Sequence, residues 1–101
     1  MYRITQKDLE TMTERINKAT DSPETPYDRT GGNISANIGN YHLDYAYGGV
    51  KLVRMTNTGG ATRVISDNGY GTKRELYNWM QAFLSGMDVA ISTKYGASEN
   101  E

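Results

Sequence analysis

Cationic groups, a hydroxyl and two glycines meet in the run Gly69-Tyr70-Gly71-Thr72-Lys73-Arg74, which opens an apolar-periodic segment. Thr72 followed by Glu75 fits the T-x-x-E capping box, in which each side chain binds the other residue's backbone N–H. Read that way the run is a helix start, with Lys73 and Arg74 in solvent. Basic residues in a first turn nevertheless oppose the helix dipole. A bound anion would reverse that sign, because unpaired amides and the positive dipole end attract phosphate. Gly71 would let the backbone approach such a ligand, and Tyr70 could stack on a ring. No G-x-x-x-x-G-K-[ST] loop is present, so this is not a Walker A motif. On the sequence, a plain cap and an anion seat both stand.

Arg54 and Arg63 come next. They fall on neighbouring expected strands joined by a turn at 57–60. On one sheet face they would form a small positive patch, and arginine grips phosphate in a bidentate fork and stacks on rings. The plain alternative gives each its own carboxylate partner. His42 and Asp44 are two residues apart on an expected strand and so point the same way, and a carboxylate beside an imidazole can orient it as a base. Yet His42 is the one histidine, which excludes two-His metal motifs, and no G-x-S-x-G elbow accompanies it. A structural or solvent-exposed His42 is the expectation, and the chain is read as no enzyme. Glu10, Glu14, Asp21 and Glu24 read as helix surface and turn. With no cysteine and no D-x-D-x-D-G loop, neither a metal nor a cofactor is expected.

The elements that must position these residues follow from periodicity. Thr5 with Asp8 approximates a capping box, with Ile4 and Leu9 at the hydrophobic-staple positions. Leu9, Met12, Ile16 and Ala19 then form one helical stripe, which D-S-P-E-T-P ends. From Tyr27 to Ser66 the period becomes that of strands. Gly31-Gly32, Gly48-Gly49 and Gly59-Gly60 mark hairpin turns. Ile34, Ala36 and Ile38 alternate on even numbers, and Tyr41, Leu43, Tyr45 and Tyr47 on odd ones. That flip across Gly39-Asn40 requires a bulge or a turn. Val50 to Met55 suits a central strand and Ala61 to Ile65 a short last one. A second helix is expected from Lys73 to about Leu84, with Gly86 as its stop and Val89-Ala90-Ile91 as a short strand or an arm. The expectation is an α+β fold: an antiparallel β-meander of four to five strands flanked by an N-terminal and a C-terminal helix, in one domain over 1–88. Residues 89–101 would form a C-terminal arm with a disordered end.

Composition narrows the partners. The chain has 101 residues and a formal net charge of −1, which argues against a bulk nucleic-acid binder. No apolar run is long enough to span a membrane, and the N-terminus lacks the apolar region of a signal peptide, so a soluble cytoplasmic protein is expected. Eight tyrosines stand against one Phe and one Trp. Tyrosine favours rims and interfaces. The odd-numbered tyrosine row is either core beneath the helices or an exposed face that makes a homo-oligomer contact.

Y-H-L-D-Y-A-Y-G-G-V-K-L-V-R-M at 41–55 and T-K-R-E-L-Y-N-W-M-Q-A-F-L-S-G-M at 72–87, with T-Q-K-D-L-E and S-P-E-T-P-Y before them, resemble a group of small bacteriophage accessory proteins of unknown function. The resemblance covers about residues 5 to 87. It implies a protein of the host cytoplasm that blocks host defence, either by sequestering a signalling nucleotide or by binding a host protein, and it carries over no catalytic residue. Two functions follow as expectations. In the first, a non-enzymatic homo-oligomer holds a small anionic ligand such as a nucleotide signal. Thr72 and Gly71 grip phosphate, Lys73, Arg74, Arg54 and Arg63 neutralise it, and Tyr70, Tyr45 and Tyr47 stack on bases. In the second, a protein–protein inhibitor docks on a host protein through its tyrosine-rich face.

Overall fold

Thr5 begins the first helix as its sequence requires. Its hydroxyl accepts from the Asp8 N–H at 3.2 Å, and the Asp8 carboxylate accepts from the Thr5 N–H at 2.8 Å. The computed structural model describes residues 3–66 and 69–99, with their side chains except at 30 and 91–99. Asp67-Asn68-Gly69 reads in the sequence as a tight turn, and its first two residues, like the chain end at 100–101, lie outside these. Within them the order is α1 (Gln6–Ala19), β1 (Tyr27–Thr30), β2 (Asn33–Ala36), β3 (Tyr41–Ala46), β4 (Gly49–Met55), β5 (Thr62–Val64) and α2 (Lys73–Glu99). The fold is α+β, with helices flanking antiparallel strands.

The strands do not form one meander. β1 and β2 make a separate two-stranded ribbon, and β3-β4-β5 make a three-stranded sheet. The break falls at the phase flip. Gly39 adopts φ +95°, and Asn40, fully buried, donates from Nδ2 to the Pro23 carbonyl at 2.8 Å. The chain therefore leaves the ribbon after Ala36, turns at Gly39, and enters β3 at Tyr41 with its faces exchanged. The Gly48-Gly49 turn also shifts by one residue. Tyr47 (φ +54°) and Gly48 (φ +72°) form the turn, and Gly49 pairs with Ala46 inside the sheet. Positive φ at both turn residues is the type I′ geometry that matches sheet twist.

β4 is the central strand, and its backbone is fully used. Toward β3 its odd residues pair, as Val53 with His42 and Lys51 with Asp44. Toward the other side Arg54 pairs with Arg63, Leu52 binds Ile65 and the Ser66 hydroxyl, and Val50 exchanges two bonds of 3.0 Å with Gly71. The even residues of β4 and odd residues of β3 face the helices. Val50, Leu52 and Tyr41 join Leu9, Met12 and Ile16 of α1 and Leu76, Met80 and Leu84 of α2 in one core, which Ile4 completes. The tyrosine row is therefore core at Tyr41, partly buried at Leu43, and increasingly exposed toward Tyr45 and Tyr47. Val53 and Met55, on the opposite face, are also buried.

α2 continues well past the expected end near Leu84. Gly86 does not take a positive φ, so it makes no stop, and 89–91 are helix rather than strand. Glycine within a helix costs about 1 kcal/mol, which the turns on either side outweigh here. Among the described residues no helix is long and apolar enough to cross a membrane.

Candidate functional site

At the start of α2 the capping box closes on itself. The Glu75 carboxylate accepts from the Thr72 N–H at 2.9 Å, and the Thr72 hydroxyl accepts from the Glu75 N–H at 3.1 Å. The Thr72 N–H, then the Thr72 hydroxyl, hold Glu75 below the usual carboxylate range. A carboxylate of the chain itself thus stands where a phosphate was expected. Gly71 is committed to β4 through its pair with Val50. Lys73 and Arg74 are exposed. Lys73 and Tyr45 line a cleft of about 350 Å³ at the base of the β3–β4 turn.

Tyr70 is likewise occupied. The antiparallel bridge at Gly71 puts Tyr70 beside Lys51, on the sheet face away from the helices. Its hydroxyl donates to Asp44 Oδ2 at 2.7 Å, and Lys51 Nζ lies 4.2 Å from its ring centroid and 3.9 Å from the same carboxylate. The bond to Asp44, more than burial, raises the Tyr70 pKa, so this phenol is a fixed donor. Gly49 is required beneath it, because a Cβ there would meet Gly71 O at 3.0 Å and Tyr70 Cβ at 3.1 Å. Asp44 is turned to Tyr70 and Lys51, whereas His42 places Nδ1 at 3.1 Å from Asn40 Oδ1. Burial lowers the His42 pKa against the opposing pull of Asp44.

Tyr47 leads outward. It is 93 % exposed, in the left-handed region, and meets the Tyr70 ring edge-on at 5.5 Å. Non-glycine residues with positive φ are uncommon, and Asn or Asp usually fills them.

Arg54 and Arg63 lie elsewhere. They are direct cross-strand partners on one face, four residues along β4 from the Val50–Gly71 bridge, or roughly 13 Å. The nine expected ligand residues are therefore not one site. Tyr45, Tyr47, Tyr70, Gly71, Thr72, Lys73 and Arg74 gather at one end of the sheet and the two arginines at the other. Arg54 is held by its Nε donating to the Gly39 carbonyl at 3.2 Å and by its guanidinium lying 5.0 Å from the Tyr41 ring centroid. Its Nη groups, and all of the Arg63 guanidinium, have no hydrogen bond or carboxylate partner among the described residues. Both line a cleft of about 330 Å³ with Ile38, Gly39, Thr56 and Ile65, and no acidic residue lines it.

Sequence reasoning found the arginine pair through the 57–60 turn but missed what fixes Arg54. The Gly39 carbonyl and the Tyr41 ring become its neighbours only because the chain turns at Gly39-Asn40, and the parity flip was the available signal. Lys51 was missed because its partner Tyr70 arrives through the isolated bridge after β5. Searches of protein families, of curated proteins and of solved structures found no match to the chain.

Proposed function

We propose that the chain is a non-enzymatic binding protein for a small anionic ligand, a nucleotide signal being the class that fits, held between Arg54 and Arg63. The observation that carries this reading is the cross-strand arginine pair without a carboxylate partner among the described residues. Like charges directly opposite each other destabilise a sheet, and an anion between them removes that cost. Tyr41 and Gly39 hold Arg54 in place beforehand, which lowers the ordering cost of binding. Ile38 and Ile65 offer apolar surface to the remainder of the ligand. The α2 start lies at the other end of the sheet, so phosphate is gripped here by guanidinium alone. With the sequence resemblance to small phage accessory proteins, the activity proposed is removal of a signal in a host cytoplasm. Thermal melts test the reading: inorganic phosphate, mononucleotides and cyclic nucleotides are screened against the wild type, Arg54→Gln and Arg63→Gln. A ligand that raises the wild-type Tm and leaves both variants unmoved supports it. A panel that moves none of the three contradicts it.

A second reading, docking on a host protein through the tyrosines, is favoured by Tyr47. A residue held at φ +54° and 93 % exposed serves no core. Backbone strain of this kind concentrates at functional positions, and tyrosine is a frequent interface anchor. A protein captured from host lysate by wild type and Arg63→Gln but not by Tyr47→Asn favours this reading over the first.

A further inference from the structure

The open edge of β3 has a defined pattern. The Met55 N–H donates to the Asn40 carbonyl, so 42, 44 and 46 are the residues bonded to β4, and Tyr41, Leu43 and Tyr45 turn their N–H and C=O groups outward. At Tyr41 the rung is filled by a side chain. Asn17 of α1 donates from Nδ2 to the Tyr41 carbonyl at 2.9 Å and accepts from the Tyr41 N–H at 2.8 Å through Oδ1. Asn17 acts there as a one-residue strand. At Leu43 and Tyr45 the outward groups have no partner among the described residues. α1 runs beside this edge, with Asn17 level with Tyr41 and Glu10 close enough to Tyr45 to add to the rise that burial causes in its pKa. Between them lies a groove of about 340 Å³. Glu10, Glu14 and Glu24 line it, and no lysine or arginine does.

The geometry points to this groove as a site for an extended, basic peptide segment of a partner protein, which adds to β3 as a fourth strand of the sheet. Backbone pairing at Leu43 and Tyr45 supplies the register, continuing the rung that Asn17 begins. Charge selects the occupant. Glu10 and Glu14 are one helical turn apart, about 6 Å, and alternate side chains of a strand are about 6.7 Å apart, so cations at two alternating positions meet both carboxylates. The same charges disfavour a second copy of this chain, whose β3 edge would bring its own Glu10, Glu14 and Glu24 to the contact. The groove shares only Tyr45 with the hairpin tip and no lining residue with the Arg54–Arg63 cleft, so the proposal stands without either binding reading above.

The test is a titration of the full, isotope-labelled chain followed by amide NMR. The probes are an octapeptide alternating Lys and Thr, the same peptide with alternate amides N-methylated, and its Glu–Thr counterpart. The Lys–Thr peptide should shift the Leu43 and Tyr45 amides and slow their hydrogen exchange. N-methylation and the acidic counterpart should abolish both effects. Glu10→Gln with Glu14→Gln, both at helix-surface positions, should weaken binding about tenfold while leaving the free spectrum folded. Unmoved Leu43 and Tyr45 amides at millimolar peptide, equal binding of the N-methylated or acidic peptide, or occupation of the edge by self-association would each overturn the proposal.

Discussion

Arg63 and Tyr47 are residues whose positions run against local stability, and each makes a distinct prediction. Arg63 faces Arg54 across the β4–β5 ladder with no counter-charge among the described residues, so Arg63→Gln should leave the ligand-free protein unchanged or a few tenths of a kcal/mol more stable. Tyr47→Asn relieves an unfavourable φ of +54° by about 1 kcal/mol and forfeits an aromatic edge contact of about the same size. Denaturant unfolding should therefore place Tyr47→Asn within about 1 kcal/mol of the wild type. A loss well beyond that would make Tyr47 a structural residue and remove the case for a docking tip. His42 predicts a pH dependence. Its folded pKa lies below the usual 6.5 because burial disfavours the imidazolium, so below that pH the unfolded chain takes up the proton first. Stability is full above about pH 6.5 and falls as the pH drops toward the folded value. Melts of His42→Gln across pH 5 to 8 should lack that component. A wild type whose stability rises on acidification through this range would reverse the sign.

At the level of elements, two glycines of the same type give opposite expectations. Gly49 sits where the segment carrying Tyr70 and Gly71 crosses β4, with backbone 3.0 Å from where its Cβ would be. Gly49→Ala should cost about 1–3 kcal/mol and displace Tyr70 from Asp44. Gly86 has open space around it within α2. Gly86→Ala should stabilise by up to about 1 kcal/mol, as in any helix interior. A destabilised Gly86→Ala would instead indicate the helix stop that the sequence suggested. That suggestion failed because Gly86 is followed by residues able to continue the helix, and a glycine alone specifies no left-handed turn. The α1 capping box, its apolar stripe and the last two hairpins were legible, since each depends on spacings of two to four residues. The division into two sheets was not, although its marker was. A parity change at Gly39-Asn40 shows that the faces exchange, but not that pairing ceases there.

Across the whole molecule the same distinction separates the candidate residues. T-x-x-E at Thr72 announces that the helix start caps two of its own amides, and the structure spends the Glu75 carboxylate on one of them. The basic pair beside it gave the sequence its appearance of an anion seat. Register then separates Lys73 and Arg74 from Arg54 and Arg63 along β4, a distance that no local motif encodes. What survives is the cleft at the β5 end, where a turn, a buried tyrosine and a carbonyl together present open guanidinium donors. Isothermal titration calorimetry on the wild type and on Arg54→Gln, with the nucleotide that gives the largest thermal shift and with inorganic phosphate, tests this most directly. Saturable heat is expected for the wild type, weakened by rising salt and lost in Arg54→Gln. Saturable binding that persists undiminished in Arg54→Gln, or no heat from the folded wild type with any phosphate ligand, would contradict it.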